Sequence, residues 1–233
     1  MKKITLLASF SLVALSVLHA ADAPKPVKPE REPNLALLPI EDVAGLPRVL
    51  LLGDSISIGY TLPVRELLKG KANVHRPAGN CSSTGYALTN LKAWLGEQPW
   101  DVIHFNFGLH DAKLPPEGIR HATPEVYEEN LRQLVAQLKA TGATLIWAST
   151  TPVPNGGNLS PVRRFGSVDN YNAIAKKVMV AHGVAIDDLN ATITPYLGTM
   201  QKPMDVHYTD EGSIVLAKQV AESIRAALLK TDN

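Results

Sequence analysis

Short blocks of consecutive apolar residues alternate along most of this chain with longer stretches in which apolar positions recur every third or fourth residue. The blocks at 48–53, 101–107 and 143–149 are short, mostly apolar runs, the pattern of strands buried on both faces. Weaker blocks of the same kind stand at 72–76 and 184–187. After Thr123-Pro124, a cap followed by a proline suited to a first helical position, Tyr127, Leu131, Leu134, Val135 and Leu138 recur at helical spacing, and Gly142 supplies a stop. A last helix is predicted to open at Thr209-Asp210-Glu211, with acids in its first turn and Leu216, Val220, Ile224 and Leu228 on one face. The order β-α-β-α-β-α-β-α-β-α predicts an α/β fold. Right-handed crossovers place helices on both faces of a parallel sheet, giving a three-layer α/β/α sandwich with five strands.

The ends differ from this pattern. Lys2 and Lys3, an apolar stretch from Ile4 to Leu18 and the small residues after His19 describe a secretory signal peptide over residues 1–20, with cleavage after Ala20 or Ala21, so a secreted or periplasmic location is expected. Residues 21–47 carry six prolines among mixed charges, which predicts an extended leader over 21–45. One domain is then expected over 46–230. Removing the signal takes two of the 23 basic residues and leaves 21 against 22 acidic ones. A near-neutral chain without a basic stripe is not built for nucleic acid, and no membrane span is expected once the signal is gone. Cys81 is the only cysteine, so no internal disulfide forms.

Open parallel sheets carry their chemistry at the carboxyl ends of the strands. Gly53-Asp54-Ser55 lies at such an end, His110 follows the third strand, and His207 precedes the last helix. A serine hydroxyl needs a base to take its proton, and the base needs an orienting carboxylate, roles that suit His207 and Asp205. Donors for an oxyanion are available in the N–H of Ser55, in the turn at Gly79-Asn80-Cys81-Ser82 and in a ring N–H of His110. The connections 108–123 and 150–167 are longer than structure requires, which makes Asn155 to Arg164, with Arg163 and Arg164, candidates for contacting substrate. Asp54, Asp111 and Cys81 read as structural, and Asp187-Asp188 as a strand-end turn or helix cap. No metal-site spacing or glycine-rich phosphate loop is present, so no metal and no cofactor are expected.

Gly53-Asp54-Ser55-Ile56-Ser57, the turn at 79–84, Gly108-Leu109-His110-Asp111 and Asp205-Val206-His207, in that order, resemble the SGNH (GDSL) hydrolase superfamily. The resemblance implies a flavodoxin-like sandwich and ester hydrolysis through an acyl-enzyme, with Ser55 as nucleophile, His207 as base and Asp205 as its orienting acid. Two positions depart from the family pattern. Its third block is usually Gly-x-Asn-Asp, and His110 stands where the asparagine would be. Its fourth is usually Asp-x-x-His, whereas Met204 lies three residues before His207 and Asp205 only two. Either a local twist lets Asp205 reach the ring, or a backbone carbonyl orients it and a Ser-His dyad remains. The glycine of the second block matches Gly79 or is replaced by Ser82. Export suggests an ester on a small molecule or polysaccharide, above all a carbohydrate O-acetyl group. A lysophospholipase or thioesterase, or an inactive carbohydrate-binding module, are the alternatives.

Overall fold

The computed structural model describes residues 32–114, 121–155 and 163–231. The expected signal peptide, the first part of the leader and the middle of the 150–167 connection lie outside the described residues. Five parallel strands, β1 (Arg48–Leu52), β2 (Asn73–His75), β3 (Val102–Phe105), β4 (Thr144–Ala148) and β5 (Ala185–Asp187), form one sheet in the order β2-β1-β3-β4-β5. This is the flavodoxin-like order, whose reversal at β1 opens a crevice at the strands' carboxyl ends. Val49–Leu52 and Val102–Phe105 are buried throughout, which is why their sequence is mostly apolar. The strands are shorter than the apolar blocks because the chain leaves the sheet early. Asn106, for example, turns its amide to the Ala148 carbonyl at 2.7 Å and to Thr150 Oγ1 at 3.2 Å.

Helices α1 (Ser55–Leu67) and α7 (Asp210–Thr231) pack together on one face, and α2 (Thr84–Leu95), α3 (Pro124–Lys139) and α4 (Ser167–Ala181) form a row on the other. In α3 the Thr123 side chain accepts from the Val126 N–H, and Tyr127, Leu131, Leu134, Val135 and Leu138 are the buried residues. The expected direct step from β5 to the last helix is not observed. A short helix α5 (Leu189–Ile193), a 3-10 turn (Thr194–Tyr196) and a single turn α6 (Leu197–Met200) intervene, pieces too short to display a helical period.

The compact unit also begins earlier than expected, at Pro33. Residues 33–45 are docked rather than extended as a tether: Arg65 donates to the carbonyls of Leu35 and Leu38, and Asn73 exchanges hydrogen bonds with the Val43 backbone. A further polar cluster inside the core has no simple sequence signature. His104 on β3, fully buried, donates from Nε2 to Asp187 on β5 at 2.9 Å, and Gln219 of α7 donates to the other Asp187 oxygen at 2.8 Å. Burial pushes the Asp187 carboxyl up, but these hydrogen bonds outweigh it and hold the group below the usual carboxylate range. Of the two adjacent acids only Asp188 is a cap, accepting from the Ala191 N–H at the start of α5.

Candidate active site

Gly53 ends β1 where a side chain has no room, since a Cβ there would lie 2.9 Å from both Cβ and Oγ of Ser57. Asp54 caps α1, its Oδ1 accepting from the Ile56 N–H at 2.9 Å, and burial pushes its carboxyl up. Ser55 is consequently the first residue of α1, with its N–H among the unpaired donors at the positive end of the helix. Its hydroxyl lies 2.7 Å from His207 Nε2.

The ring's other nitrogen is held from behind. His207 Nδ1 lies 2.6 Å from Asp205 Oδ1, and the same oxygen accepts from the His207 backbone N–H at 3.1 Å. The loop that makes this possible is a tight one: Gln201 and Tyr208 pair as an antiparallel bridge, Lys202 N–H donates to the His207 carbonyl, and Asp205 N–H donates back to Lys202. Met204 takes φ +53°, a left-handed conformation uncommon for a side-chain residue, and this twist brings an aspartate two residues away up to the ring. Burial raises the Asp205 carboxyl, and the hydrogen bonds from His207 more than reverse this, leaving it below the ordinary range. A carboxylate only accepts, so Nδ1 carries the proton and Nε2 presents a lone pair to the Ser55 hydroxyl. An imidazole in that state takes a proton from the serine as the oxygen attacks a carbonyl carbon.

The remaining candidates divide. Ser82, not Gly79, faces the site: its hydroxyl lies 3.1 Å from His110 Nδ1 and it adopts φ +57°, a conformation that glycine takes without penalty. Its own N–H donates to Asn80 Oδ1 at 2.8 Å. Gly79 is exposed, its carbonyl accepting from Arg76. Of these groups, the Ser82 N–H is engaged within its own turn, whereas the Ser55 N–H stands unpaired at the start of α1. Arg163 donates from Nε to the Leu109 carbonyl at 2.8 Å, and its terminal nitrogens have no protein partner among the described residues. It lies within electrostatic reach of Asp54 and Asp205. Arg164 is exposed and has no side-chain bond among the described residues.

Asp111 is buried and accepts from the N–H and hydroxyl of Thr84, tying the His110 loop to the start of α2. Cys81 is buried, its N–H donating to the Gly53 carbonyl, and burial pushes its thiol up to about 11. Two residues not singled out in the sequence complete the site. The largely buried Arg76 donates to Ser57 Oγ, Thr61 Oγ1 and the carbonyls of Gly53 and Gly79, stapling the Ser55 turn to the Ser82 turn. Lys113 Nζ lies 2.9 Å from His110 Nδ1. Among the described residues no group of three or more His, Cys, Asp or Glu side chains is placed to hold a metal, and no helix is long and apolar enough to cross a membrane.

Residues 51–213, well over half of the chain, match the model of the GDSL-like lipase/acylhydrolase family. The chain belongs to that family. Among solved structures, this GDSL-family hydrolase is similar to a lipase/acylhydrolase from Enterococcus faecalis, with a TM-score of 0.66 and 22% identity over 78% of this chain and 96% of that one. It is also similar to an acetylxylan esterase from Geobacillus stearothermophilus, with a TM-score of 0.65 and 20% identity over 76% and 94% of the two chains. An arylesterase from Vibrio mimicus is 28% identical over 121 residues, 47% of this chain, and the match spans 58% of the arylesterase. The chain thus carries a GDSL-like lipase/acylhydrolase domain on a flavodoxin-like α/β/α sandwich.

Proposed function

We propose that this ester hydrolase works through Ser55 as nucleophile, His207 as general base and Asp205 as the orienting acid, and that its substrates are short acyl esters, above all O-acetyl groups on carbohydrate. The observation that carries the mechanism is the continuous array of Ser55 Oγ, His207 and Asp205 at 2.7 and 2.6 Å. Ser55 Oγ attacks the acyl carbon while His207 Nε2 takes its proton, and the oxyanion gathers against the N–H of Ser55 and the His110 ring. Collapse returns the proton from His207 to the departing alcohol, and water repeats the sequence on the acyl-enzyme, releasing the acid and freeing Ser55.

The site is open: the side chains of His207 and Asp205 are 41% and 44% exposed, which suits an ester displayed on a larger alcohol. Phe165, 61% exposed and two residues beyond Arg163, offers an apolar face beside a charged fork. Acetylxylan esterases among the structural relatives agree with this reading. Location is part of the proposal: the signature over residues 1–20 sends the protein out of the cytoplasm, checked by the N-terminus of the mature protein.

The test is acetate release from a panel of acetylated glycans, beside aryl esters of short and long acyl chains and a lysophospholipid. Acetate release from glycans with little turnover of chains beyond butyrate is the expected result. Preference for long chains or for lysophospholipid overturns the substrate reading. Labelling by a fluorophosphonate, abolished by Ser55→Ala, tests the nucleophile separately, and an unlabelled wild type rejects it.

A further inference from the structure

A neutral imidazole carries its one N–H on either nitrogen, so a histidine in an oxyanion site donates only if something selects the right tautomer. The structure supplies the selector. An ammonium group has N–H donors and no lone pair, and Lys113 Nζ lies 2.9 Å from His110 Nδ1. The Ser82 hydroxyl lies 3.1 Å from the same nitrogen. Nδ1 is therefore the acceptor and the ring proton sits on Nε2, which has no protein partner and is not enclosed among the described residues.

The loop is shaped for this contact. Ala112 N–H donates to the Gly108 carbonyl at 2.9 Å and Lys113 N–H to the His110 carbonyl at 3.3 Å, a single helix-like turn that puts positions 110 and 113 on one face. Gly108, with φ +149° and no room for a Cβ against Thr150 Oγ1, lets the chain enter that turn. Burial, together with the charges of Lys113 and Arg163, pushes the His110 pKa down to about 3, so the ring stays neutral at ordinary pH.

We propose that Lys113 is a positioning residue of this hydrolase: it fixes His110 in the Nε2–H tautomer, so that the ring presents an N–H to the oxyanion formed on the acyl group at Ser55. The proposal rests on Ser55 being the nucleophile. An asparagine at position 110 needs no such partner, because its amide nitrogen always carries hydrogens. Histidine and lysine act there as one unit.

The test combines kcat and KM on p-nitrophenyl acetate, ¹⁵N–¹H spectra of the His110 ring and fluorophosphonate labelling, for Lys113→Met, Lys113→Arg, His110→Asn and the His110→Asn/Lys113→Met pair. Lys113→Met is expected to lower kcat about 3- to 30-fold, a fraction of the roughly 100- to 1000-fold that deletion of an oxyanion donor costs, with little change in KM. Its His110 ring is expected to show both tautomers. Lys113→Arg, which keeps a cationic donor, recovers most of the rate, and in the His110→Asn background Lys113→Met changes kcat by less than about twofold. An equal loss in both backgrounds, or a His110 that keeps the Nε2–H tautomer without Lys113, overturns the proposal. Normal labelling of Ser55 alongside such a result confines the failure to Lys113. A wild type that resists labelling, or a Ser55→Ala variant that labels equally, overturns the nucleophile reading itself.

Discussion

Replacing Asp205 separates two contributions that most serine hydrolases combine, because its Oδ1 accepts both from His207 Nδ1 and from the His207 backbone N–H. In Asp205→Asn those two donors hold the amide oxygen toward the ring, so the tautomer survives and only the charge is lost. A carboxylate and an imidazolium about 4 Å apart attract by about 4 kcal/mol at an effective dielectric of 20 and about 1 kcal/mol in water. With the two side chains 44% and 41% exposed, the screened end applies, about 1–2 kcal/mol, or roughly 5- to 30-fold in kcat. Asp205→Ala also frees the ring to turn and to change tautomer, which adds about another 3- to 10-fold. The assay is kcat on p-nitrophenyl acetate at saturation, with Ser55→Ala as the blank. An Asp205→Ala enzyme within twofold of wild type means that Asp205 does not orient the base. A loss near 10⁴-fold, of the size known for buried triad aspartates, refutes the argument from exposure.

Arg76→Met is expected to lower stability by about 2–4 kcal/mol, since five acceptors lose a largely buried cationic donor, seen as a fall in the urea midpoint. His110 sets part of the acid limb of stability. Its folded pKa of about 3 lies below the ordinary 6.5, so the unfolded chain binds the extra proton and stability falls as pH drops from 6.5 toward 3. Wild type is thus expected to lose about 2–3 kcal/mol more than His110→Asn between pH 7 and 4.5, and parallel urea titrations of the two proteins at both pH values would falsify this by showing equal losses. Arg163→Gln is expected to raise KM for acetylated oligosaccharide several-fold while leaving kcat on p-nitrophenyl acetate within about threefold; a matching fall in kcat on both substrates rejects a binding role.

The sheet was legible because each strand of its centre is a short, mostly apolar run, and α3 because five buried positions fall on one 3.6-residue period. The segment between β5 and α7 was not, since pieces of four or five residues carry no period. Ser55, His207 and Asp205 were locatable from strand ends and the order of short motifs. What the sequence left open was conformational. Whether Asp205 reaches the ring depends on one left-handed residue, Met204, and whether Ser82 or Gly79 faces the site depends on the φ of Ser82. Lys113 and Arg76 were illegible for another reason: a lysine or arginine reads as solvated surface unless the fold supplies something for it to bond, and here the partners come from other turns or from the loop's own winding.

Both departures from the family pattern are accompanied by a neighbour that restores the chemistry. Shortening Asp-x-x-His by one residue would leave the carboxylate out of reach, and Met204 in the left-handed region closes the gap. Replacing asparagine by histidine would leave donation to chance, and Lys113 removes the choice. The first pairing has its own consequence. A side-chain residue in the left-handed region costs about 1 kcal/mol or more, and a β-branched one considerably more. Met204→Gly should therefore keep the rate and the stability close to wild type, because relief of strain offsets the greater freedom of the unfolded chain. Met204→Val should draw the loop toward φ below zero, pull Asp205 from the ring and lower kcat to the level of Asp205→Ala. Equal rates for the glycine and valine variants would mean that the backbone at position 204 does not govern the Asp205–His207 contact.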